Sequence, residues 1–224
     1  MMSGNALKII AAICMLIDHI GVILLPEVKI LRIIGRLAYP IFAYMIAEGC
    51  RYTKNPKRYF GQIAVAAAMC QLVYYVYEQS LEMCILVTFS MSVAVIFALQ
   101  RFKVASALTE KCLRAIELCT AVAAVYVLNI YFSIDYGFWG CMVPVFAFVL
   151  PAKKTKANVA MTAVGLVALA VAYGGIQWYS ILAVPLLVLY NGQRGRRNMK
   201  YFFYIFYPVH LVALELVAVF ISLR

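Results

Sequence analysis

Two histidines stand in this sequence, and both lie inside long apolar runs: His19 in LKIIAAICMLIDHIG and His210 in KYFFYIFYPVHL. Imidazole titrates near neutral pH, so a histidine in such a setting is a candidate general base or carrier of a transferred group. Asp18 precedes His19, Arg36 and Glu48 fall in the second apolar run, and Glu215 follows His210. Charge inside a bilayer is expensive and is retained mainly where it pairs or does chemistry. His19 is read as the base or carrier. Asp18 is read as orienting the site or stabilising imidazolium, and Arg36 as holding an oxyanion or a polarised carbonyl. His210 completes the candidate catalytic set, with Tyr39, Tyr204 and Glu48 as cavity wall. Asp18 and His19 are adjacent, so they diverge by about 100° around a helix and need not touch.

Plainer readings stand beside these. Asp18 and Arg36 also suit an ion pair fastening two helices, and His210 a core histidine bonded to a nearby carbonyl. Glu48 suits a pairing residue near its helix end. Lys8 and Lys200 suit ordinary interfacial anchors.

Spacing gives depth. His19 follows Lys8 by eleven residues, about 16 Å at helical rise and almost three whole turns, so the two share a face. His210 follows Lys200 by ten residues, about 15 Å. Arg36 follows Lys29 by seven residues, which puts it about 20 Å from the cytoplasm in a hydrocarbon core about 30 Å thick. These positions predict one polar cavity near the midplane, between the first, second and last spans. Pro40 and Pro208 are expected to free the carbonyls of Arg36 and Tyr204 beside it. Lys8, Lys200, Arg194, Arg196 and Arg197 gather at its cytoplasmic mouth, where cations suit phosphate groups.

The elements that must hold these residues follow from composition. Of 224 residues, 66% are hydrophobic and 13% charged, whereas soluble domains carry about 25% charged residues. The chain therefore reads as an all-α integral membrane protein with about nine transmembrane helices. They are expected over 8–25, 30–50, 59–77, 83–100, 115–132, 136–150, 157–173, 177–190 and 201–222. The sixth and eighth are short and contain Pro144 and Pro185, so tilted, kinked or partly re-entrant segments are expected there. No linker or repeat divides the chain, and residues 1–224 read as a single polytopic domain. Alternate loops are rich in Lys and Arg (Arg51 to Arg58, Arg101 to Arg114, Lys153 to Lys156, Arg194 to Lys200), which predicts a cytoplasmic N-terminus and an outside C-terminus. The formal charge of +11 sits in these clusters, a pattern for anionic lipid rather than nucleic acid. The seven cysteines form no CxxC pair, so neither a disulfide framework nor a metal site is expected. The first apolar run carries Asp18 and His19 and lacks a small-residue cleavage site, so it reads as a retained span.

The N-terminal LKIIAAICMLIDHIG, the stretch RIIGRLAYPIFAYMIAEGCRYT and the C-terminal KYFFYIFYPVHL resemble the TraX family of bacterial membrane proteins. The family's name comes from a conjugation protein that N-acetylates pilin. The chain is also similar to the broader transmembrane acyltransferases, whose first helix carries a basic residue, ten others and a histidine; Lys8 and His19 match that spacing. That superfamily often has arginine where Lys8 stands. The resemblance implies acyl transfer from cytoplasmic acetyl-CoA or another acyl-CoA, without a metal, in the bacterial cytoplasmic membrane. The implied acceptor is a pilin-like peptide end or an envelope component, and the implied surroundings are membrane lipid. Two other classes remain open. A proton-coupled transporter also buries Asp, His and Arg, but often shows paired repeats. A non-catalytic assembly protein would not need a buried His-Asp pair.

Overall fold

A computed structural model describes residues 1–78, 82–153, 155–195 and 199–222. The protein is an all-helical membrane protein; among the described residues the extended structure amounts to isolated bridges. Five stretches are long and apolar enough to cross a membrane: Gly4–Ile23, Lys29–Tyr52, Ile85–Val104, Leu108–Tyr131 and Thr155–Tyr173. Shorter apolar helices cover Gly137–Phe148, Gly175–Val188 and Ile205–Ile221. Each of the nine expected segments is helical over most of its length. Leu113, Ile116, Tyr126, Ile130 and Tyr131 lie exposed along Leu108–Tyr131. Water would not tolerate so long an apolar face, whereas lipid does.

The chain forms two compact units. The first comprises Met1–Met45 and Thr155–Arg224. It contains α1 (Gly4–Ile23), α2 (Lys29–Gly35), the start of α3 (Ala38–Tyr52), α8 (Thr155–Tyr173), a 3₁₀ helix (Gly175–Ala183), α9 (Val184–Val188) and α10 (Lys200–Ser222). Ser3 caps α1, its hydroxyl accepting from the Ala6 N–H at 3.3 Å. The Gly4 and Asn5 N–H groups donate to the Gln193 and Arg194 carbonyls, so the loop before α10 satisfies orphan donors at the start of α1. α1 and α2 pack at close range because glycines stand at the crossing. A Cβ at Gly21 would lie 2.8 Å from Leu31 Cβ, and one at Gly35 would overlap the Asp18 carboxylate.

The second expected span is broken rather than kinked. Turn residues Arg36 and Leu37 separate α2 from α3, and Pro40 sits in the first turn of α3. Proline costs a helix little there, because first-turn N–H groups have no intrahelical acceptor. The break in this span thus falls at the turn, and Pro40 is accommodated beside it.

The eighth expected span is mostly a 3₁₀ helix, which repeats every three residues. Its buried residues are Gln177, Ser180 and Ala183, while Trp178, Tyr179 and Leu182 are exposed. One line of side chains points inward and the others face out.

The second unit, Ile46–Lys154, holds the end of α3, α4 (Pro56–Glu78), α5 (Ile85–Val104), α6 (Leu108–Tyr131) and α7 (Gly137–Phe148). Hydroxyls tie its apolar core: Ser92 Oγ lies 2.8 Å from both the Thr88 and Cys141 carbonyl oxygens, which share its one proton, and Thr88 donates to the Asp135 carbonyl at 2.7 Å. Arg51 and Lys103 donate to carbonyls of Ala147, Leu150 and Val149. Cations there complement the negative end of α7.

Candidate functional site

The two histidines meet. His19 lies near the end of α1 and His210 midway along α10, and His210 Nε2 stands 2.9 Å from His19 Nδ1. Lower on the same pair of helices, Lys8 Nζ lies 5.8 Å from the Phe203 ring centroid. Lys8 pairs with Phe203 and His19 with His210, so α1 and α10 run in the same direction. The shared face expected for Lys8 and His19 is the face turned to α10.

The hydrogen bonds fix where the protons sit when both rings are neutral. His210 Nδ1 is 2.7 Å from the Phe206 carbonyl. A carbonyl only accepts, so His210 Nδ1 carries a hydrogen and its Nε2 a lone pair. His19 Nδ1 must then donate to that lone pair. His19 Nε2 is left as the basic nitrogen. Packing holds the arrangement: Phe206 stacks on His210 at 4.8 Å with an 11° interplanar angle, and Tyr207 meets both rings edge-on. His210 is buried and His19 half-buried.

The Asp18 carboxylate does not steady His19. It takes Arg32 Nη1 at 2.6 Å and Arg36 Nη2 through both oxygens at 3.0 and 3.1 Å. The reason is helical: one residue along α1 turns the side chain about 100° toward α2. The ion pair weighed for Asp18 and Arg36 is present, and Arg32 joins it. Arg32 and Arg36 sit one turn apart, a spacing that offered the signal. Both guanidiniums remain within electrostatic reach of His19. Arg36 Nη1 also donates to Gln177 Oε1 of the 3₁₀ helix over a long 3.5 Å, a partner that sequence reasoning missed.

Of the expected phosphate-binding cations, Lys8 and Arg194 lie close enough to repel one another. Arg196 and Arg197 lie outside the described residues, as do the side chains of Lys200 and Tyr204. Tyr39 is buried in the first turn of α3. Glu48 belongs to the second unit, where it pairs with Arg51 at 2.5 Å; the end-of-helix pairing weighed for it is what the structure shows. No group of His, Cys, Asp and Glu suited to a metal occurs among the described residues.

A family model described as TraX protein matches residues 3–218. A probable fimbrial assembly protein FimC, serogroup H1, of Dichelobacter nodosus is 28% identical over 240 residues, covering 95% of this chain and 94% of that protein. An uncharacterized protein, RP591, of Rickettsia prowazekii (strain Madrid E) is 47% identical over 53 residues, covering 24% of this chain and 21% of its own. No solved structure matches.

Proposed function

The chain belongs to the TraX family, and from that premise we propose that it is a membrane-embedded acyltransferase. It moves an acetyl or other acyl group from cytoplasmic acyl-CoA to a peptide end or envelope acceptor, in a bacterial cytoplasmic membrane. The observation that carries this reading is the imidazole pair, whose hydrogen bonds leave His19 Nε2 as a free base in a half-buried position. The whole-length likeness to a probable fimbrial assembly protein makes a pilin-like peptide the first acceptor to test.

In this reading His19 Nε2 takes a proton from the acceptor's amine or hydroxyl as that group attacks the thioester carbonyl. The carbon–sulfur bond breaks, and the departing thiolate recovers the proton from the imidazolium. The same nitrogen would serve if His19 carried the acyl group itself. The cationic Arg32–Arg36 cluster supplies positive potential for the developing oxyanion. Lys8 and Arg194, at the start of α1, are assigned to the donor's phosphates.

The deciding experiment is mass spectrometry of envelope material and exported peptides from cells with the gene, without it, and with His19→Ala. A reproducible acyl difference lost in both null strains is expected and names the acceptor. Equal spectra in all three, with the protein inserted, would count against acyl transfer and favour a transporter.

A further inference from the structure

Gln177 is 7% exposed and Ser180 is fully buried. Gln177 Nε2 and Ser180 Oγ meet no hydrogen-bond partner among the described residues. A buried polar atom without a partner costs about 1–3 kcal/mol, so two on one helix line need a reason. The amide cannot be turned round to remove the difficulty. Arginine only donates, so the Gln177 atom that faces Arg36 must be its oxygen, and the NH₂ group must point elsewhere. Three residues make one 3₁₀ turn, so Gln177 and Ser180 lie on one line about 6 Å apart along the axis.

Charge decides what these groups suit. The Asp18 carboxylate faces two guanidiniums, Arg32 and Arg36, so cationic groups gather on this side of α2. Gln177 touches that cluster through Arg36. Two hydrogen-bond donors beside guanidiniums match the two acceptor oxygens of a carboxylate, which charge favours over a neutral carbonyl.

We infer that Gln177, Ser180 and Arg36 form a binding site for a carboxylate, supplied by a small acid or by the free end of a peptide. This site shares the Arg32–Arg36 cluster with the proposed acyl transfer, but its occupancy needs no acyl-CoA and no histidine and can be read by itself. The Gln177 N–H and Ser180 O–H donate to the carboxylate oxygens, while Arg36 and Arg32 balance its charge through Asp18.

The test is ligand-induced thermal stabilisation of the purified protein in detergent, which follows binding without any turnover. The probes are N-acetylglycine, its amide N-acetylglycinamide, inorganic phosphate, and an N-acetylated tetra-alanine peptide with a free carboxyl end. The carboxylates are expected to stabilise the protein, and the amide and phosphate to do so much less. A response to the peptide alone names a peptide end; a response to both names the carboxylate itself. Gln177→Glu keeps an acceptor for Arg36 but puts a negative oxygen where the donor stood. It should leave thermal stability unchanged or raised and abolish the carboxylate response. Ser180→Ala should weaken carboxylate affinity by about 10- to 100-fold, the worth of one hydrogen bond to a charged group. Equal responses to acid and amide, or an undiminished response in Gln177→Glu, would overturn the inference. Because no acyl donor enters the assay, its failure leaves the acyl-transfer proposal untouched, and the converse also holds.

Discussion

His19 and His210 are 191 positions apart, yet share a 2.9 Å hydrogen bond between helices that run the same way. The bond sets the tautomer of His19 and leaves Nε2 as its basic nitrogen, the one the proposed acyl transfer uses. If so, the two histidines are unequal. His19→Ala should lower acyl transfer by about 10²–10⁴-fold, the usual worth of a general base. His210→Ala should cost only about tenfold, because a neutral hydrogen bond that selects a tautomer is worth about 0.5–1.5 kcal/mol. Transfer of labelled acetyl groups in membrane vesicles measures both. Equal losses would make His210 a participant in proton transfer.

Donor binding can be separated from chemistry. Lys8 lies beside Arg194 with its ammonium over Phe203, a local excess of positive charge suited to a polyanion. Acetyl-CoA should raise the melting temperature of the purified protein. Lys8→Glu should shrink that rise, and His19→Ala should preserve it. No stabilisation at millimolar acetyl-CoA would remove Lys8 and Arg194 from the donor site.

The parallel course of α1 and α10 has a topological counterpart. Both helices start on one side, so the end of α10 belongs on the other. With the N-terminus cytoplasmic, as the Lys and Arg distribution predicts, a reporter active only in the cytoplasm should stay dark when fused after Arg224. A bright fusion would contradict the odd number of crossings.

Close packing of α1 against α2 predicts a steric lesion far from any reacting atom. A Cβ at Gly35 would overlap the Asp18 carboxylate, which two arginines already hold in place. Gly35→Ala should destabilise the protein by about 1–3 kcal/mol, the range for overpacking. Thermal unfolding in detergent reads it. A variant as stable as the parent would mean that the crossing has slack.

What the sequence disclosed follows from which physical signals are periodic. Apolar runs long enough for a bilayer marked all nine helical segments, and the interval from Lys8 to His19 marked the face of α1 that meets α10. The interruption at Arg36 was attributed to Pro40, because proline is a conspicuous breaker. Its real basis is a turn that lets α2 end and α3 begin, where proline is harmless. The 3₁₀ geometry of Gly175–Ala183 left no hydropathy signature, since an apolar run looks the same at three residues per turn as at 3.6. Gln177 escaped notice because it bears no charge, although its place beside Arg36 gives it a role that exposed lysines lack. Asp18 and its pairing with Arg36 were visible; the share of Arg32 was not, because it depends on how closely two glycines let α2 approach.

The long sequence interval between the imidazoles bears on the order of assembly. Asp18, Arg32 and Arg36 lie within eighteen positions of one another, so their charges can neutralise as soon as the first hairpin leaves the ribosome and enters lipid. His19 has no such early partner. It stays without His210 through the synthesis of every intervening helix, until α10 inserts. A chain interrupted before that helix would hold its charges quietly in the membrane and still lack the imidazole that hydrogen-bonds His19.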